Sequence, residues 1–338
     1  GGLGLSAVFA CALFAAVSGS SPATVVAIGS ILLPAMVRAG YPKKFGVGVI
    51  ASSGGLGILI PPSIVMVMYA VSTNSSIGAL FMAGVVPGLL LALFLGGITW
   101  YEAHKGNYPR EQPLSWAQRW DAFRKAIWGL LLIVVVMGGI YSGLFTPTEA
   151  AAMSAVYAFF IAVFVYKDIG MKDVPKVLLN SANMSAMLLY IITNAVLFSF
   201  LMTHENIPQE MADWMMGTGV GVIGFLIVAN ILLLLAGNFM EPSSIVLILA
   251  PILFPIAIKL GIDPVHFGII MVVNMEVGMC HPPVGLNLYV ASGITKMGIT
   301  ELTIAVWPWL LTMLVFLIVV TYWAPLSLWL PRTLGMIS

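Results

Sequence analysis

Residues 18–29 read SGSSPATVVAIG, and residues 238–244 read NFMEPSS. Each is a polar knot between apolar runs: GGLGLSAVFACALFAAV and ILLPAMV flank the first, GVGVIGFLIVANILLLLAG and IVLILAPILFPIAI the second. The fold turns on what these knots do. Pro22 to Val37 would give about 24 Å of helix at 1.5 Å per residue, short of the ~30 Å hydrocarbon core of a bilayer. With the apolar limb before it and the knot as its tip, residues 1–37 predict a re-entrant hairpin that enters and leaves on one face. Residues 219–260 predict a second.

Composition sets the class. Of 338 residues, 60% are hydrophobic and 8% charged, where soluble domains carry about 25% charged residues. The chain reads as an all-α polytopic membrane protein. A net charge of +1 excludes a nucleic-acid binder built on a basic face. Cys11 and Cys280 cannot build a disulfide framework and read as small apolar fillers. The chain opens on Gly1 inside an apolar run, so an N-terminally truncated chain is expected.

Spanning helices are predicted near 79–101, 126–145, 149–166, 177–203 and 302–325. Runs 45–71 and 266–292 are long enough but carry GLGILIPPS and GMCHPPVGLN, where paired prolines break a helix. Pro34, Gly40, Gly57, Pro61, Pro62 and Pro87 each have a counterpart of the same type 221 positions on: Pro255, Gly261, Gly278, Pro282, Pro283 and Pro308. This predicts an inverted repeat. The first unit, 1–101, holds hairpin 1–37, broken helix 45–71 and helix 79–101. The second, 126–338, holds helices 126–203, hairpin 219–260, broken helix 266–292 and helix 302–325. By symmetry about 95 residues are expected before Gly1. Residues 102–125 form a cytoplasmic linker. PLSWAQRWDAFRKAIW (113–128) reads as an amphipathic interfacial helix, either a plain link or a docking surface. With both hairpins re-entrant, all Lys and Arg except Lys259 and Arg332 fall on one side, which the positive-inside rule makes cytoplasmic.

Helix ends inside a membrane expose N–H and C=O groups that cost several kcal/mol each unless occupied. Two tips and two broken helices around a pseudo-twofold axis therefore predict a site, with carbonyls and hydroxyls for a small cation and helix N-termini for an anion. Ser18, Ser20, Ser21 and Thr24 face the carbonyls around Ser53–Gly57 in this scheme; Gly237, Asn238, Glu241, Ser243 and Ser244 face Gly278–His281. A single serine in a membrane helix often only bonds the i−4 carbonyl; a cluster beside a proline, matched by a second tip, argues for more. Glu276 is either functional or a partner for backbone freed at the kink. No Lys or Arg lies deep in an apolar run, so an anionic substrate needs bound cations and helix dipoles, which points to cation-coupled uptake. HExxH, Walker A and GxSxG are absent, and no enzyme is expected. FTPTEAAAMSA is not an ABC permease coupling loop: Ala155 stands where that loop has Gly, and the topology puts it outside.

SGSSPATVVAIGSILLPAM, GVIASSGGLGILIPPSIVMVMYAV, FTPTEAAA, GNFMEPSSIVLILAPILFPIA and NMEVGMCHPPVGLNLYVASGI together resemble the large membrane subunit of tripartite ATP-independent periplasmic (TRAP) transporters, over essentially the whole chain. The resemblance implies an elevator-type, Na⁺-driven secondary transporter of the bacterial inner membrane. It implies two partners, a small four-helix membrane subunit and a periplasmic substrate-binding protein that delivers an organic acid. By motif it implies one Na⁺ site at Ser18, Ser20, Ser21, Gly57 and Ile60, and a second at Gly237, Glu241, Gly278 and His281, where members often carry a hydroxyl residue at the position of His281. Thr24, Ser52, Ser53, Pro62, Ser243, Asn274 and Asn287 are then expected to meet substrate. GMCHPPVGLNLYVASGITKMGI is most similar to the C4-dicarboxylate branch. Hairpins and broken helices would slide against a scaffold of segments 79–101, 126–203 and 302–325. Two other classes fit the residues: a stand-alone Na⁺/divalent-anion symporter without a binding protein, and a proton antiporter using Glu241, Glu276 and His281.

Overall fold

The first polar knot is a two-residue turn. In the computed structural model, which describes residues 1–109, 115–217 and 221–337, helix α1 (Gly2–Ser18) ends on Gly19. The φ of Gly19 is 60°, in the left-handed region that suits glycine. Ser20 is extended, and α2 (Ser21–Arg38) follows at once with Pro22 in its first turn. The next helix is interrupted twice. Helices α3 (Lys43–Ser53) and α4 (Leu56–Leu59) part at Gly54–Gly55, and α5 (Ile64–Thr73) starts after Ile60–Pro61–Pro62–Ser63. The two prolines remove backbone donors there, and Ser63 restarts the helix by accepting from Met66 N at 3.3 Å. Helix α6 is Ile77–Lys105.

Helices α7 (Trp116–Tyr141) and α8 (Pro147–Phe160), a π-helical turn Ile161–Val165, and α9 (Val174–His204) follow. The expected border between linker and spanning helix at 125/126 is not a break. Ser115 opens α7 with a capping box to Gln118, and neither proline nor glycine intervenes before Gly129. Arg110 and the rest of 110–114, and residues 219–220 of the expected second hairpin, lie outside the described residues. In FTPTEAAA, Glu149 closes a capping box with Thr146, a local structural role. Residues 112–196 make one compact unit. Its helices are apolar yet largely exposed, as faces that meet lipid or another protein must be.

The segment HENIPQEMAD turns at Glu205–Asn206 and is helical from Ile207, in α10 (Ile207–Gly217), with Pro208 in a first turn where its missing N–H is tolerated. Then come α11 (Val222–Gly237), α12 (Pro242–Lys259), α13 (Pro264–Cys280), α14 (Leu286–Thr295), α15 (Ile299–Tyr322) and α16 (Pro325–Thr333). Shifted by 221, the bounds of α2 become those of α12, and the span from the start of α3 to the end of α4 becomes that of α13. Gly40 and Gly261, counterparts after α2 and α12, both have positive φ. One difference stands out: α13 has no interruption matching Gly54–Gly55.

Three hydrogen bonds fix the course of the broken helices. Lys43 Nζ donates to Thr295 O (2.6 Å), Asn287 Nδ2 to Ala51 O (3.0 Å), and Tyr69 hydroxyl to Pro264 O (2.7 Å). The first broken helix meets these points in the order Lys43, Ala51, Tyr69; the second meets them in the order Pro264, Asn287, Thr295. The second therefore retraces the first in reverse. Helix α2 packs on α14 and α12 on α5, so each hairpin lies against the broken helix of the other repeat. Every residue from Val265 to Cys280 is buried. Residues 1–111 and 197–338 form the second compact unit, and α6 and α15 belong to it, joined by Trp309 Nε1 donating to Thr99 Oγ1 at 2.8 Å.

Among the described residues, eight helical stretches are long and apolar enough to cross a membrane, α2 and α12 among them. At 18 residues each, these two extend about 27 Å, a length compatible with a crossing or a re-entrant limb.

Gly55 and Glu276 are counterparts 221 apart, and they touch. A Cβ on Gly55 would lie 2.6 Å from Glu276 Cγ and 2.9 Å from its Oε1. Gly55→Ala is therefore expected to destabilise the fold by about 1–3 kcal/mol, read as a lower Tm in detergent. Adding Glu276→Ala should recover much of the loss.

Candidate cation and substrate site

Both tips rest on the breaks, and glycine makes this approach possible. A Cβ on Gly57 would come within 2.7 Å of Ser20 C and O and 2.9 Å of Ser21 N, all backbone. At the other tip a Cβ on Gly237 would come within 3.0 Å of Gly278 Cα, and one on Gly278 within 2.8 Å of Gly237 Cα. Main chain also joins tip to restart: Ile64 N donates to Gly19 O (3.4 Å), and Gly285 N to Asn238 O (3.3 Å). Gly57 and Gly278, paired by spacing in the sequence, thus do equivalent work.

At the first tip, Ser18 Oγ donates to Ser20 O (3.2 Å) and lies 3.1 Å from Thr24 Oγ1, which donates to the same carbonyl at 2.8 Å. Ser18, Ser20 and Thr24 thus form one cluster around Ser20 O. Ser21 turns away from it. Its Oγ meets Asn287 Oδ1 at 3.0 Å and Nδ2 at 2.8 Å. Ser52 bonds its own helix, donating to Gly48 O at 2.7 Å. Ile60 lies against Gly88 of α6, and Pro62 O faces Gly19. Both residues are half-buried.

At the second tip, Glu241 is exposed and caps α12. It accepts from Ser244 N (3.0 Å) and Ser243 Oγ (2.9 Å). His281 Nδ1 is 2.6 Å from Pro282 O. Asn274 Nδ2 donates to Asn230 Oδ1 (2.6 Å) and Ile270 O (2.8 Å), while Asn230 Nδ2 donates to Thr321 Oγ1 (3.2 Å). Glu276 is fully buried, against Gly55.

Buried oxygens without a hydrogen-bond partner carry most information, because leaving one unmet costs about 1–3 kcal/mol. Among the described residues these are Ser53 Oγ, Asn238 Oδ1, Asn274 Oδ1 and both oxygens of Glu276. Ser53 and Asn274 are counterparts 221 apart. Asn274 belongs to the second tip, its carbonyl 3.8 Å from where a Cβ of Gly237 would stand, and Asn238 is the next residue of that tip. Neutral oxygens of this kind suit a small hard cation.

Sequence reasoning missed three residues. Asn230, a lone amide in GFLIVANILLLLAG, was visible as a polar residue in an apolar run. Cys280, read as a filler, has its thiol 3.2 Å from Ala51 O and 3.6 Å from Asn287 Nδ2. Gly55 had a signal only in the 221-residue register, where it faces its own counterpart.

An all-helical, mostly apolar chain with two helical hairpins seated on two antiparallel broken helices defines a membrane transport protein. Residues 1–326 match the DctM component of the tripartite ATP-independent periplasmic transporter, and the chain belongs to that family. Among its relatives is the C4-dicarboxylate TRAP transporter large permease protein DctM of Rhodobacter capsulatus, 73% identical over 99% of this chain and 80% of that protein. The protein of that name from Pseudomonas aeruginosa is 57% identical over 99% and 79%. The isethionate TRAP transporter permease protein DctMQ of Oleidesulfovibrio alaskensis is 44% identical over 95% of this chain and 51% of its own length. Among solved structures, the YdaH transporter of Alcanivorax borkumensis shares the fold with a TM-score of 0.65 at 18% identity, over 95% of this chain and 81% of that one. The chain is a large permease subunit of a tripartite transporter, a multi-pass protein of the bacterial inner membrane and not an enzyme.

Proposed function

We propose that this permease imports C4-dicarboxylates coupled to Na⁺. The observation that carries the reading is the pair of equivalent, buried, unpartnered oxygens, Ser53 Oγ and Asn274 Oδ1, one in each broken helix. Each marks a cation site in this proposal. The first is completed by Ser20 O with the Ser18 and Thr24 hydroxyls around it and by the main chain at Gly57, the second by Asn238 and the main chain at Gly237 and Gly278. The first turns of α2 and α14 meet through Ser21 and Asn287, so two helix N-termini converge. Their dipoles, with the bound cations, attract a carboxylate where no Lys or Arg is at hand. The names of the two most similar relatives given above favour a C4-dicarboxylate. A small membrane subunit and a periplasmic binding protein complete the transporter, and the name DctMQ supports a Q-type partner.

The reverse course of the second broken helix supports an inverted repeat, and in this proposal both hairpins are re-entrant. In the elevator step of this proposal the hairpins and broken helices slide against a scaffold of segments 79–101, 126–203 and 302–325.

The test is uptake of labelled C4-dicarboxylate by the reconstituted complex under imposed ion gradients. Uptake that requires a Na⁺ gradient supports the reading; uptake driven by a proton gradient without Na⁺ overturns it. The proton reading has one observation in its favour, the unpartnered Glu276. Under it, Glu276→Gln should abolish the pH dependence of uptake.

A further inference from the structure

We infer that Asn287 is a positioning residue that fastens the first hairpin tip to the second repeat, rather than a substrate contact; the inference rests on the transport reading above. Ser21 and Asn287 are both 0% exposed and 266 positions apart. One amide serves three elements. Its Nδ2 donates to Ser21 Oγ at 2.8 Å and to Ala51 O at 3.0 Å, and its Oδ1 accepts from Ser21 Oγ at 3.0 Å. The start of α2, the end of α3 and the start of α14 are thereby tied at one point. Cys280, last residue of α13, adds a fourth strand to the knot through Ala51 O. A side chain whose hydrogen-bonding atoms are engaged inside the protein has little left to offer a substrate.

The second tip has no such fastening. In the 221-residue register Pro242 stands opposite Ser21 and Met66 opposite Asn287, and neither can donate a side-chain hydrogen bond. Phe239, Met240 and Glu241 are exposed there. The clamp is thus specific to the first tip, where Ser20, next to Ser21, presents the carbonyl shared by Ser18 and Thr24. Asn287 acts on the cation site by holding that carbonyl in place.

The experiment uses the full chain with its partner subunits and compares Ser21→Ala, Asn287→Ala, the double variant and Ser21→Thr. Each alanine variant should raise the Na⁺ concentration for half-maximal uptake about fivefold, the worth of one net hydrogen bond. Half-saturation by substrate, measured at saturating Na⁺, should change less than half-saturation by Na⁺, because substrate meets the converging helix ends and not Asn287 itself. The double variant should be no worse than the worse single, and Ser21→Thr, which keeps the hydroxyl, should lose less Na⁺ affinity than Ser21→Ala. A selective rise in substrate half-saturation for Asn287→Ala, or multiplying effects in the double variant, overturns the clamp. A second readout needs no transport. In a Cys11→Ala background, Cys280 should resist maleimide and become reactive when Asn287→Ala is added; unchanged protection overturns the clamp. If wild-type uptake ignores Na⁺, the coupling reading fails on its own, and the thiol assay still decides the clamp.

Discussion

Gly57→Ala and Gly278→Ala are expected to cripple Na⁺-dependent uptake while leaving the chain in the membrane. Each Cβ would enter main chain: Ser20–Ser21 in one case, Gly237 in the other. A side chain can rotate away from an intruding methyl group, but a hairpin turn cannot do so without moving its carbonyls. Overpacking of this kind costs about 1–3 kcal/mol, and if it falls on tip seating, apparent Na⁺ affinity drops about 5- to 150-fold. Ion titration of uptake in reconstituted vesicles measures this. The effect should be confined to Na⁺ half-saturation at first, with maximal uptake recovering as Na⁺ is raised. Wild-type Na⁺ affinity in both variants would show that the tips do not hold the ions.

Ser53→Ala is expected to move stability and Na⁺ affinity in opposite directions. The Oγ of Ser53 is buried and has no partner in the protein, so its removal without Na⁺ should leave the fold unharmed or stabilise it, by up to about 1 kcal/mol. If the same oxygen ligates the ion, losing it weakens Na⁺ binding at least several-fold, and the rise in Tm that Na⁺ gives the wild type shrinks accordingly. Thermal unfolding in detergent across a Na⁺ series reads both signs in one experiment. A variant less stable without Na⁺ and equally stabilised by it would make Ser53 a packing residue. Ser52→Ala is the contrast: its hydroxyl is spent on Gly48 O, and its loss should leave the Na⁺ series unchanged.

Much of this architecture could be read from residue types because membrane helices advertise their ends. Pro61–Pro62 and Pro282–Pro283 located both breaks, and SGSSP and NFMEPSS both tips. The 221-residue register found from six glycines and prolines is repeated by helix bounds it was not built on, those of α2 and α12. What escaped was whatever depends on a partner across the fold. Ser21 and Asn287 were assigned to an ion and a substrate, and the structure puts them on each other. Glu241, assigned to the second cation site, also caps α12, a role its position one residue before Pro242 could have suggested. The continuity of α7 was missed because hydrophobicity changes near residue 126 while backbone propensity does not, and it is the backbone that decides where a helix stops.

The contact between Gly55 and Glu276 also bears on ancestry. If the repeat arose by duplication, the ancestor carried one residue type at both positions, facing its own copy. Two glycines fit there; two glutamates would bring like charges together in a space that holds one side chain. Of these two residue types only glycine can stand at both positions at once, so the present pair cannot be symmetric: one half carries the acid, and the other must keep the glycine that makes room for it.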